Sequence, residues 1–200
     1  MPTSTFFNLP EEKRQKLIAA ALEEFSTVPF AEASINKIIR RAGIPRGSFY
    51  MYFEDKRELF LYLIRNFVGQ TVGFITDCLV DAKGDVFAGF LLLYDRLDIF
   101  QASQPFPIHN IIHLNKGLHT GDLFKEFTMN DVFQRLIEHV DTSLLRAESD
   151  EDVQEISELL FQLVAPSIFR ASLCPAAEAE AQRERFVNRL KILQRGMRAE

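Results

Sequence analysis

Arg46, Gly47, Ser48, Tyr50, Tyr52 and Lys56 fall within the stretch AGIPRGSFYMYFEDK at 42–56. These side chains suit holding an anion rather than breaking a bond. A guanidinium forks onto a phosphate or a guanine edge, and hydroxyl and phenol groups donate to phosphate oxygens. Glycine lets a backbone come close. Met51 and the ring of Tyr52 suit a thymine methyl. Arg46 follows Pro45 and Lys56 follows Asp55, so both cations stand where a helix begins. A cation there opposes the backbone dipole and costs about 0.3–1 kcal/mol. A bound phosphate reverses the sign, because the helix N-terminus and the cation then attract the same group.

The elements around these residues are short helices. Ser34 is the expected N-cap of a helix with Ile35, Ile38, Ile39 and Ala42 on one face, and Gly43 ends it. Pro45 opens the next helix, whose Phe49 and Phe53 are expected to point inward. Two short helices about a glycine turn make a helix-turn-helix, and its second helix fits the B-DNA major groove. Ahead of it, Pro10, Glu11 and Glu12 open a helix with Leu17, Ile18, Ala21, Leu22 and Phe25 at helical spacing. Behind it, Asp55 and Glu58 read as a capping box for a long fourth helix reaching about Ala82.

Periodicity predicts further helices near 85–102, 106–116, 122–146, 151–173 and 176–197, and no convincing period-two stretch. The expected fold class is therefore all-α, an N-terminal three-helix head followed by a helical body. The expected domains are 1–55 and 56–200.

Charge divides along the same line. Residues 1–65 carry ten Lys/Arg and eight Asp/Glu, and residues 66–200 carry thirteen and twenty. Between 34 and 53 stand Lys37, Arg40, Arg41 and Arg46 with no acid among them. A basic island on an acidic chain suggests an anion-facing head, although a solvated helix face gives the same pattern. Cys78 and Cys174 are isolated, which suits reduced thiols in a cytoplasmic protein. No long uninterrupted apolar run or secretory signal is apparent, so neither a membrane nor export is expected.

The segment SINKIIRRAGIPRGSFYMYFEDKRELF resembles the TetR family of bacterial transcriptional regulators. The likeness covers roughly 10–67: a capped helix, A-G-I, a short helix bearing G-x-x-Y, an aromatic pair and a lysine opening the long helix. By position it implies DNA contacts from Ser34, Asn36, Arg46, Gly47, Ser48, Tyr50, Tyr52 and Lys56. Two positions depart from the family pattern. Pro45 stands where a serine often donates to phosphate, and Tyr52 where histidine is usual. The resemblance also implies a double-stranded operator, a small-molecule inducer and a homodimer joined through the last two helices, with no cofactor or enzymatic activity.

Candidate residues for those roles follow from the body's sequence. Leu159 and Leu163 stripe one helix and Phe186, Leu190, Leu193 and Met197 another, as a dimer face or as monomer core. Phe67, Phe74, Phe106, Phe133 and Phe161 are candidate walls of an apolar ligand pocket, with core packing as the alternative. His109 and His113 share a helix face at i, i+4, with surface or core as the default placement and the polar rim of that pocket as the alternative. The same pair supports a rival reading, a metal-dependent helical enzyme. No nearby carboxylate or cysteine completes a shell, so no metal is expected.

Overall fold

The computed structural model describes residues 1–99, 110–111, 114–115, 135–172 and 176–199. Two compact units emerge. The first holds residues 1–70 together with Asn110, Ile111, Leu114 and Asn115; the second holds the described residues from Thr71 onward other than those four. Among the described residues the regular elements are helical, apart from one isolated bridge between Leu145 and Arg198.

The first unit contains α1 (Ser4–Phe7), α2 (Glu11–Thr27), α3 (Ile35–Ala42), α4 (Arg46–Tyr52) and the start of α5 (Lys56–Asp81). The single turn α1 was not anticipated from sequence. It exists because it closes α4: the Thr3 N–H donates to Tyr52 O at 3.0 Å and Thr3 Oγ1 donates to Met51 O at 2.6 Å. Both carbonyls lie at a helix C-terminus, where no intrahelical donor remains. Phe6 then sinks into a cluster of rings, 4.8 Å from Phe53 and 5.1 Å from Tyr62 between centroids. Leu17, Phe25, Ile38, Phe49, Leu59, Phe60 and Ile64 complete this core.

Caps set the helix boundaries. Gly43, at φ 67°, ends α3 in the left-handed conformation, and the Ile44 N–H returns to Ile39 O at 3.0 Å. Before α5 the Glu58 N–H donates to Asp55 Oδ1 at 2.7 Å. The reciprocal bond is displaced by one residue, since Glu58 Oε2 accepts from the Glu54 N–H at 2.6 Å. By length and composition α5 is apolar enough to cross a bilayer, with a mean hydropathy of 1.2 over its most apolar window. Its Leu59, Phe60, Leu63 and Ile64 are instead buried in the head core, as in a core helix.

The second unit contains the rest of α5, α6 (Val86–Asp95), a 3-10 turn (Thr142–Leu144), α7 (Asp150–Ser172), a 3-10 turn (Ala176–Glu178) and α8 (Ala179–Met197). The Asp85 carboxylate caps α6 by accepting from Phe87 and Ala88. The helix expected over 85–102 is interrupted at Arg96, the C-cap of α6. The helix expected to reach 146 also ends early, and among the described residues its helical part stops at Ile137. Asp141 explains this. Its N–H donates to Gly84 O at 2.9 Å, and its carboxylate accepts from both the N–H and the hydroxyl of Ser143. Ser149 and Asp152 then start α7 as a capping pair. The chain end closes on this segment, with Arg146 N–H donating to Met197 O at 2.7 Å and Ala199 N–H to Leu144 O at 3.0 Å.

Candidate nucleic-acid interface

The candidate site is built on α3, the glycine turn and α4. Arg46, first residue of α4, is exposed and already oriented. Its Nη1 donates to Asn36 Oδ1 at 2.5 Å, its Nη2 donates to Tyr50 Oη at 3.3 Å, and its guanidinium carbon lies 5.7 Å from the Tyr50 ring centre. Three predicted contact residues are therefore brought together, one from α3 and two from α4. A guanidinium held by neutral groups keeps its full charge while losing fewer rotamers on binding. Gly47 is exposed beside it, and a Cβ built there meets nothing within 4 Å. Ser48 is half-buried, while Tyr50 and Met51 are large exposed side chains on the same short helix.

The other predicted residues are turned differently. Ser34 occupies the N-cap of α3, but its hydroxyl makes no capping bond. Its N–H donates instead to Glu24 Oε1 at 3.1 Å. Tyr52 is buried, its ring facing Phe6. Lys56 folds onto the turn between α2 and α3: its Nζ donates to Ala33 O at 2.8 Å and Ala31 O at 3.1 Å, and lies 4.7 Å from the centre of the Phe30 ring. Burial lowers the pKa of this ammonium, and the Glu24 carboxylate partly offsets that. The two helix-start cations thus differ. Arg46 faces outward, and Lys56 is engaged within the head.

Sequence reading missed Glu24 and Asn115. Glu24 is 1% exposed on α2, where its carboxylate accepts from Ser34 N–H and from Arg41 Nη1 at 3.1 Å, with Lys37 Nζ at 3.7 Å. It thereby ties two cations of the basic island inward. The signal was present, since an acid stands on the apolar stripe Leu17, Ala20, Ala21, Phe25. Asn115 offered no such signal. Its Oδ1 accepts from the Phe30 N–H at 2.8 Å and its Nδ2 donates to Ile111 O at 2.7 Å, a link across distant sequence.

The body's candidates scatter. Phe67 and Phe74 are half-buried on α5; Phe106, His109, His113 and Phe133 lie outside the described residues, as does the side chain of Phe161. A cavity of about 20 Å³ in the second unit is lined by Ile75, Leu79, Val86, Phe90, Leu136 and Ile137. Of the candidate dimer residues, Phe186 and Leu190 are buried within this unit, Phe186 stacking on Tyr94 at 4.5 Å. Leu159 is exposed; Leu163, Leu193 and Met197 are half-buried; and Ile192, absent from the predicted stripe, is 65% exposed. Among the described residues no group of three or more His, Cys, Asp or Glu side chains could hold a metal.

A short helix, a left-handed glycine turn and a second short helix with an oriented arginine define a helix-turn-helix unit, and known proteins carry the same segment. Residues 17–63 match the model of bacterial regulatory proteins, tetR family. A TetR family transcriptional regulator from Chloroflexus aurantiacus J-10-FL is 32% identical, covering 100% of both chains, with a TM-score of 0.57. The chain belongs to the TetR family of transcriptional regulators. The HTH-type transcriptional regulator YdgC of Bacillus subtilis (strain 168) is 41% identical over 56 residues, 28% of this chain. That match spans only 29% of YdgC itself. SmeT, the repressor of the Stenotrophomonas maltophilia multidrug efflux pump SmeDEF, shares the fold at a TM-score of 0.62 and 15% identity, over 95% of this chain and 94% of its own. These relatives do not favour the enzyme reading of His109 and His113.

Proposed function

We propose that the protein is a homodimeric, cytoplasmic repressor that binds a palindromic operator and is released by a small, apolar inducer. The observation carrying this reading is the Asn36–Arg46–Tyr50 constellation at the exposed start of α4. In this reading Asn36, Arg46, Gly47, Ser48 and Tyr50 meet the duplex. Ser34, Tyr52 and Lys56 act one step back: Ser34 through Glu24, Tyr52 through α1, and Lys56 by holding the turn at 29–33. The functional boundary falls ahead of α5, at 55/56, with the remainder serving the effector and the dimer.

Two copies are needed because one head offers few contacts, and successive major grooves are about 34–36 Å apart. Exposed Leu159 and Ile192, on α7 and α8, fit a face between copies. An inducer that favours a wrongly spaced pair of heads needs about 1–3 kcal/mol of coupling to weaken operator binding several-fold or more.

The test is anisotropy with duplex from the chain's own upstream region, over a salt series. Arg46→Ala is expected to weaken binding about tenfold to a hundredfold. Wild-type affinity in that variant overturns the assignment. Lys56→Ala separates the two roles of the second cation. An unchanged salt slope supports the holding role, and a slope smaller by about one places Lys56 on a phosphate instead.

A further inference from the structure

On the second unit, α6, α7 and α8 enclose a small polar cleft of about 10 Å³ whose walls include Arg170, Arg185 and Arg189. Residues 182, 185, 186 and 189 share one face of α8 by their spacing, and all four line the cleft. Arg170 comes from the last turn of α7 and donates through Nη2 to Ser167 Oγ at 3.3 Å. Ser167 is buried and donates its own hydroxyl to Leu163 O at 2.8 Å, so it is fixed in place. Phe186, stacked on Tyr94, supplies an apolar wall.

Three other arginines of the unit have carboxylates: Arg96 with Asp81, Arg183 with Asp95, and Arg198 with Asp85. Among the described residues none of the three cleft arginines has a carboxylate within ion-pair distance. They converge although residues 66–200 carry more acids than bases. Like charges facing one concavity raise its potential, and an entering anion relieves that repulsion. Guanidinium forks match the planar or tetrahedral oxygens of carboxylate and phosphate, and Gln182 adds a neutral donor.

We propose that this cleft is a binding site for the oxyanion group of a small metabolite, a carboxylate or phosphate, the rest of which lies outside the cleft. Only the regulatory consequence rests on the repressor reading given above; the binding site itself does not. It gives that reading's inducer an acidic head group beside its apolar part.

Calorimetric titration of the full chain, at matched ionic strength in chloride, tests it with sodium phosphate, sodium benzoate and benzyl alcohol. Phosphate or benzoate is expected to bind once per chain, and the neutral alcohol not at all. Arg185→Gln with Arg189→Gln is expected to weaken anion binding at least about tenfold, the loss of one charge-assisted bond or more. The double lysine variant is expected to be intermediate, since it keeps charge but not the fork. Both positions are exposed, so folding should survive; Arg170→Gln alone gives a second reading at an independent position. Phosphate binding without benzoate assigns a phosphate group, and benzoate binding assigns a carboxylate. Equal anion affinity in wild type and the glutamine variant, or none in either, overturns the site. So does conversion of the variant to a smaller sedimenting species without anion binding in the wild type, which assigns the arginines to acids of a second copy. Anion binding that leaves duplex affinity unchanged keeps the site and removes the inducer reading.

Discussion

Both units bury an apolar core, and they differ in what accompanies it. In the first, rings interlock: Phe6, Phe49, Phe53 and Tyr62 lie within 4.8–6.0 Å of Phe53 or Phe6, and Phe25 meets Phe60 edge-on at 5.0 Å. Charge there is drawn inward to one buried carboxylate, Glu24. In the second, ion pairs fasten helices from outside: Arg183 forks onto Asp95 at 2.7 and 3.0 Å, and Arg96 meets Asp81. The contrast bears on function. On the proposed reading, a unit that presents Arg46 and Asn36 in fixed register gains from interlocking rings, because close-packed aromatic cores have few alternative arrangements. Solvent-screened pairs hold helices more loosely, which suits the effector role proposed for the second unit.

The sharpest break of that comparison is Phe53→Ala. Phe53 is fully buried between Phe6, Phe49 and Tyr62, and its removal should cost about 3–5 kcal/mol, seen as a lower urea midpoint. Next is Gly84→Ala in the second unit. Gly84 sits at φ 81°, and an added Cβ would lie 2.7 Å from the Asp141 nitrogen. The left-handed backbone alone costs about 1–2 kcal/mol, before the clash is counted. An unchanged midpoint there would mean that the Gly84–Asp141 contact is not a fixed joint.

Arg46→Ala sharpens the comparison differently. It should remove about 1–3 kcal/mol of duplex affinity while leaving the urea midpoint within about 0.5 kcal/mol. Loss of stability on that scale would make Arg46 part of the scaffold rather than the contact face.

The smallest expected effect concerns Tyr62. Burial raises its phenol above the ordinary value of 10.0. The folded state therefore keeps the proton longer than the unfolded chain. Its contribution is complete below the unfolded value and is lost as pH rises toward the folded one. Alkaline melting followed by circular dichroism should fall less steeply in Tyr62→Phe. Equal slopes would remove Tyr62 from the pH dependence.

Much of the head was legible because its signals are local. Gly43 marks the left-handed turn, Pro45 the start of α4, and Asp55 with Glu58 the start of α5. Sequence periodicity also found α7 and α8. It failed where a long-range bond overrode local preference. The helix toward 146 ends because the Asp141 backbone joins Gly84, and α1 forms because Thr3 reaches the end of α4. Phe186 and Leu190 fit a helical stripe equally well as interface or core, since spacing fixes a face without saying what covers it; packing turned both inward.

The sequence alone determined the residue types at the helix entrances, the caps that bound α3 to α5, and the uneven charge between the first 65 residues and the rest. Those are properties of neighbours within a few bonds or one helical turn. Only the tertiary structure decided which cation faces outward. Arg46 is held by Asn36 and Tyr50 at the surface, while Lys56 is drawn onto the carbonyls of Ala31 and Ala33, and Glu24 gathers Arg41 and Lys37. The physical reason is that a charge settles by the field of everything folded around it, and that field is made by residues the chain brings close only after it has packed.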